Sequence, residues 1–119
     1  MRISSPNQRW AGFQKTTEEF HLVVSKAVDE GLLVLGASVK DSMYYYLEKN
    51  RQVRREEIPS KITAFHGALE SLLGAGAKVL ERLIAERLYS RLNLIFEERE
   101  NWTLGDYVRY AQKAKKGGG

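Results

Sequence analysis

Two short runs in this 119-residue chain set chemically useful groups at helical spacing. Gly74-Ala75-Gly76-Ala77-Lys78 opens a helix-forming stretch, where unpaired amides and the helix dipole attract anions. Gly74, Gly76 and Lys78 are therefore candidate anion-binding residues. The run follows a helix rather than a strand, however, and Val79 stands where a dinucleotide fingerprint has its third glycine. A glycine-rich hinge between two packed helices accounts for it better. Glu18 and His21 form a Glu-x-x-His pair, the spacing used in carboxylate-bridged di-metal bundles, which need two such pairs and two further glutamates. The only other histidine, His66, has Thr63 three residues before it, so the set is incomplete and no metal site is expected. His21 reads as an exposed or cap-proximal residue and His66 as a boundary residue beside Phe65.

Nucleophilic catalysis finds no support either. Cysteine is absent, which removes thiol chemistry, disulfides and cysteine-ligated metals together, and no serine sits in a G-x-S-x-G elbow. Glu56, Glu57, Glu97 and Glu98 lie in polar runs, without the apolar flanks that would tune a carboxylate for acid–base work. The expectation is a protein that is not an enzyme and carries no cofactor. Tyr44, Tyr45 and Tyr46 spread around more than half of a helix, so at least one must face solvent or a partner. A base-stacking platform would need further aromatics on a sheet, and core packing plus an oligomer contact explains the three tyrosines more simply.

The net charge of +4 is concentrated at the ends. Arg2, Arg9 and Lys15 make the first 15 residues +3, residues 16–98 hold 11 basic and 13 acidic side chains, and residues 99–119 are again +3. Such arms bind polyanions or merely solubilise; Arg2, Arg9, Lys15, Arg109, Lys113, Lys115 and Lys116 are the candidate nucleic-acid contacts. The run Arg51 to Glu57 mixes both signs and reads as a solvated connector. No apolar stretch is long enough to span a bilayer or serve as a secretory signal, which predicts no membrane association and a cytoplasmic location.

The elements that carry these residues follow from apolar spacing. Helical periodicity prevails from about residue 17 to 96, with no sustained two-residue alternation, so the fold class is all-α, a compact bundle of four or five helices. The expected division is a flexible basic arm over 1–15, a helical domain over 16–100, and a C-terminal helix with a basic tail over 101–119. Thr16 and Glu19 form a capping box before a helix running to about Leu35, where Gly36 ends it. Ser38 with Asp41 repeats the box before a helix whose Val39, Met43, Tyr46, Leu47 and Asn50 share a face. Pro59 marks the next boundary; a third helix carries Ile62, Phe65, Leu69, Leu72 and Leu73 to the break at Gly74-Ala75-Gly76. A fourth runs from about Ala77 to Arg91 or beyond, with Leu80, Leu83, Ile84, Leu88, Leu92 and Ile95 as its stripe. Thr103 and Asp106 start a fifth through Leu104, Tyr107, Val108 and Ala111, before KAKKGGG frays.

The segments EGLLVLG (30–36), SVKDSMYYYLEK (38–49), REEIP (55–59) and LLGAGAKVLE (72–81) resemble a small helical domain that recurs in archaeal proteins. The resemblance covers about residues 19–91 and leaves out the basic arms. It implies an all-helical fold and a thermophilic archaeal source, and brings no activity or catalytic residue. The plentiful Glu, Lys and Arg, with few Asn, Gln and Met, point the same way.

More apolar surface is present than so small a core hides. The stripes of the third and fourth helices and that of the first (Phe20, Val23, Val24, Ala27, Val28, Gly31, Leu32 and Leu35), together with Tyr44, Tyr45, Leu94, Phe96 and Trp102, predict a homo-oligomer, most simply a dimer, or docking onto another protein, in a regulatory role. Nucleic-acid binding through the arms is the alternative.

Overall fold

The computed structural model describes residues 17–117, and every regular element among them is a helix. α1 spans Thr17–Val34, α2 Ala37–Arg51, a 3-10 helix Arg55–Ser60, α3 Ile62–Leu73, α4 Gly76–Arg91 and α5 Leu104–Gly117. Thr16, half of the first expected capping box, lies outside the described residues.

α1 buries Phe20, Val24, Ala27, Val28, Gly31 and Leu32, a three-and-four spacing that makes one continuous stripe. That stripe meets α4, whose Leu80, Ile84, Ala85 and Leu88 face it from the same core. The two helices cross at Gly31: a β-carbon built there would lie 2.5 Å from Ile84 Cγ1. Only a residue without a side chain allows that approach.

α1 gives way to α2 through two residues, Leu35 and Gly36. Gly36 adopts φ +116°, a conformation that L side chains rarely take, and α2 begins at the next residue. The expected Ser38 and Asp41 box is therefore not formed; Lys40 N–H already bonds the Gly36 carbonyl at 3.0 Å, which places both residues inside the helix on its exposed side. Of the face expected for α2, only Met43 and Leu47 are buried. Tyr46 is half-buried and Val39 and Asn50 are exposed, because α2 touches α1 and α3 along a narrow seam.

The charged segment after α2 is not a solvated connector. Gln52 turns the chain at φ +53°, and Val53, Ile58 and Pro59 are buried on either side of the polar side chains. Arg55 is held against α1: its guanidinium donates to both Asp29 carboxylate oxygens, with Nε at 3.0 and 3.1 Å, and the Tyr44 hydroxyl donates to the same carboxylate. One aspartate thus ties α1, α2 and the 3-10 helix together. Burial pushes the Asp29 carboxyl up, but hydrogen bonds from Arg55 and Tyr44 and the charges of Arg55 and Lys40 outweigh it and hold it below the ordinary carboxylate value.

α3 buries Phe65, Ala68 and Leu69, while Leu72, expected in its stripe, is exposed. It closes at Gly74, at φ +56°, whose N–H bonds the Glu70 carbonyl at 2.9 Å. α4 ends at Arg91, so Ile95 lies beyond the helix and outside the stripe assigned to it. α5 belongs to the same core rather than to a separate tail, since Leu104, Tyr107, Val108 and Ala111 are buried against α3 and α4. Its start is one half of the expected box: the Asp106 carboxylate accepts from Thr103 N–H at 2.8 Å and Thr103 Oγ1 at 3.2 Å, while Asp106 N–H bonds the Thr103 carbonyl rather than its hydroxyl. The helix persists through Gly117, so the first five residues of the KAKKGGG tail expected to fray are helical and the last two lie outside the described residues.

Candidate functional site

Between α4 and α5 the chain runs without regular secondary structure from Leu94 to Arg99 and, with the flanking helices, gathers five aromatic rings. Tyr89 comes from the last turns of α4, Phe96 and Trp102 from the connection, and Tyr107 and Tyr110 from one face of α5, three residues apart. Tyr89 meets Phe96 edge-on at 5.5 Å between centroids, Trp102 meets Tyr107 edge-on at 5.0 Å, and Tyr110 lies nearly parallel to Tyr89 at 6.4 Å. Hydrogen bonds hold the connection in place: Tyr89 OH donates to the Tyr107 carbonyl at 2.8 Å, Arg99 N–H to Tyr107 OH at 2.8 Å, and Leu94 N–H to the Tyr89 carbonyl at 2.9 Å. Burial, then the neighbouring tyrosines, push the Tyr89 phenol up to about 12.

The rings leave a cleft of about 400 Å³ open to solvent, lined by Tyr89, Leu94, Ile95, Trp102 and Tyr110, with Asn93, Glu97 and Arg99 at its polar edge. Arg99 sits 5.1 Å over the Trp102 ring and 3.2 Å from Glu97. Ile95, on the rim, is 85% exposed.

A second cleft, of about 350 Å³, backs onto Trp102 from the α3–α4 side. His66, Glu70, Gly74, Lys78, Glu81 and Thr103 contribute to its walls. Glu81 is 5% exposed, yet fully engaged: it takes the His66 Nδ1 hydrogen bond on one oxygen and Leu104 N–H, at 3.0 Å, on the other. His66 Nε2 lies 3.3 Å from Glu70. The Glu81 hydrogen bond, helped by the charges of Glu81 and Glu70 and opposed by burial, raises the His66 pKa above its ordinary value. With a carboxylate on each ring nitrogen, the imidazolium is the form that satisfies both, and no ring lone pair is left to act as a base.

Of the residues expected to bind anions, Gly74 and Lys78 line this second cleft, whereas Gly76 begins α4 and is not in its lining. Among the interface candidates, Trp102 borders both clefts and Phe96 packs into the aromatic cluster. Tyr44 turns inward to Asp29, and Tyr45, 67% exposed, carries Lys49 over its ring at 5.7 Å. Arg2, Arg9 and Lys15 lie outside the described residues. Arg109 pairs with Asp106 at 2.7 Å, Lys113 is exposed one turn further along α5, Lys115 is half-exposed and Lys116 stands on the last turn. His66 with Glu81, and Asp29 with Arg55, were not legible as pairs; only Glu70, four residues from His66 on the same helix, carried a spacing signal.

A further apolar group stands at the α1–α2 turn, where Leu33, Val34, Leu35 and Val39 are all exposed. Among the described residues, no group of three His, Asp or Glu side chains is placed to hold a metal ion, and no helix is long and apolar enough to cross a membrane. Comparison of the chain with protein-family models, with curated proteins and with solved structures finds no match.

Proposed function

We propose that this chain is a small helical protein-interaction or dimerisation module with a regulatory, non-catalytic role in the cytoplasm. The carrying observation is the aromatic cleft with Ile95 on its rim, an apolar surface that stays exposed after the core has closed. Single exposed apolar residues are ordinary on any protein surface, but a preformed aromatic cleft beside a protruding isoleucine is the composition of an interface core. The occupied ring nitrogens of His66 support the non-catalytic half of the reading. Sedimentation through the micromolar range tests it: the weight-average mass is expected to rise above 13.6 kDa with concentration. A mass of 13.6 kDa throughout, in a chain that also retains no protein when tethered to a matrix, would overturn it.

Nucleic-acid binding is the alternative reading, favoured by the persistence of α5 through Gly117, which sets Arg109 and Lys113 one turn apart on a helix. It predicts affinity that falls steeply with salt, and no binding of duplex or single-stranded DNA or RNA at low salt would remove it.

A further inference from the structure

We propose that Glu81 and His66 form a pH-sensitive latch on α5, closed while the His66 imidazole is protonated and loosened when its proton leaves. Glu81 belongs to α4 but serves two other helices. Its carboxylate, on a residue 5% exposed, accepts Leu104 N–H at 3.0 Å on one oxygen and the His66 Nδ1 hydrogen bond on the other. Leu104 is the first residue of α5, so its amide is among those that a helix start leaves without an intrahelical partner. α5 is thus capped in part from α4, and the positive end of its dipole favours a carboxylate there.

A buried carboxylate is costly unless its charge is balanced, and His66 of α3 supplies the balance. The imidazolium donates from Nδ1 to Glu81 and from Nε2 toward Glu70, 3.3 Å away. Once neutral, the ring has a single N–H. It can keep Glu81 and release Glu70, whose side chain is 62% exposed and able to turn to water, but the remaining bond is no longer charge-assisted. Glu81 then holds an unbalanced charge among three helices, and opening of α5 relieves it by returning the carboxylate to water. The proton therefore favours the closed state: the latch is fully closed below the unfolded histidine value of about 6.5 and loosens as pH rises through the folded value, which the Glu81 hydrogen bond holds higher. The other charged groups beside α3 are Lys78 of α4 in the wall of the second cleft, the Asp106–Arg109 pair of α5, Arg51 of α2 against Gly67, and Lys61 with Glu57 at the 3-10 helix. Of all these residue types only histidine changes charge near neutrality. Release of α5 withdraws Tyr107 and Tyr110 from the aromatic cluster, while α1 and α4 stay joined through their own stripe. Control of an interaction at the aromatic cleft rests on the reading above; the latch itself does not.

The test is native-state amide hydrogen exchange of the full chain without any partner, followed residue by residue from about pH 6 to about pH 9 and corrected for the intrinsic exchange rate. The α5 amides of Val108 and Ala111 are expected to open more readily than those of Val28 in α1 and Ala85 in α4, in a step less sensitive to denaturant than global unfolding. Their opening constant is expected to rise about fivefold across that range, the difference between a charge-assisted and a neutral hydrogen bond. His66→Gln is expected to remove the rise, and so is Glu81→Gln, which keeps an acceptor for Leu104 N–H but not the charge. α5 opening that ignores pH in wild type, or rises equally in His66→Gln, overturns the latch. Val108 and Ala111 amides that exchange only with global unfolding, at the same free energy as Val28, overturn the separate release of α5. Should either variant fail to fold, the other and the wild-type profile decide the question. Each of these outcomes leaves the interaction reading to its own sedimentation test.

Discussion

Replacing Gly31 with alanine tests the contact on which the whole packing depends. In isolation the change favours α1, since alanine is better than glycine inside a helix by about 1 kcal/mol. Against this stands the 2.5 Å approach of the new methyl group to Ile84 Cγ1, about 1 Å inside ordinary carbon–carbon contact. Ile84 cannot swing clear: it is branched at Cβ, fully buried, and its Cα lies only 3.6 Å from the same methyl position. The helices must move apart instead, and overpacking of this kind costs about 1–3 kcal/mol. The net expectation is a loss of up to about 2 kcal/mol, read as a lower urea midpoint with an unchanged slope and a melting temperature lower by up to roughly 10 °C. Ile84→Ala removes the obstructing atom and costs about 2–5 kcal/mol on its own, but the double variant should lose less than the two changes summed. A Gly31→Ala protein more stable than wild type, or strict additivity with Ile84→Ala, would refute the close crossing of α1 and α4.

Two electrostatic predictions follow from pairs that join separate helices. Because the folded pKa of His66 is raised, its stabilising charge is fully present below the unfolded value of about 6.5 and is lost as pH rises through the folded value. The urea midpoint should therefore fall as pH rises from about 6.5; His66→Gln should flatten that fall, and an equal fall in wild type and variant would refute the role of His66. For Asp29 the sign is opposite: its depressed pKa stabilises above the unfolded value of about 3.9 and is lost as pH drops through the folded one. Arg55→Ala should cost about 1–2 kcal/mol at pH 7, between the values for surface and buried pairs because the Arg55 side chain is 38% exposed. That cost should shrink toward pH 3, and an unaltered penalty there would assign it to packing rather than to charge.

The amino-acid sequence by itself determined the helices, their order and most of their ends. Apolar residues recurring every three or four positions, the break at Gly74, the box at Thr103 and Asp106, and the turn at Gly36 are local signals, and local hydrogen bonds and backbone sterics read them directly. Where two local signals competed, as at Ser38 and Gly36, the backbone freedom of glycine prevailed over the side-chain cap. The expected α2 face failed at Val39 and Asn50 because periodicity says which residues could be buried, not how much neighbouring surface arrives to bury them.

Only the tertiary structure decided what the polar and aromatic groups do. Asp29 meets Arg55 across 26 residues, His66 meets Glu81 across 15, and the aromatic cluster joins the end of α4 to α5 across a segment with no helical period. The charged run after α2 read as solvated because its one buried apolar residue, Val53, is outnumbered by charges, and the partner of Arg55 lies on another helix. Trp102 and Phe96, counted as surplus surface, are partly spent inside the cluster, while Ile95, counted as core, became the most exposed large apolar side chain described. Such pairings depend on how rods pack in three dimensions, and a charge or a ring carries no trace along the chain of which distant group will close on it.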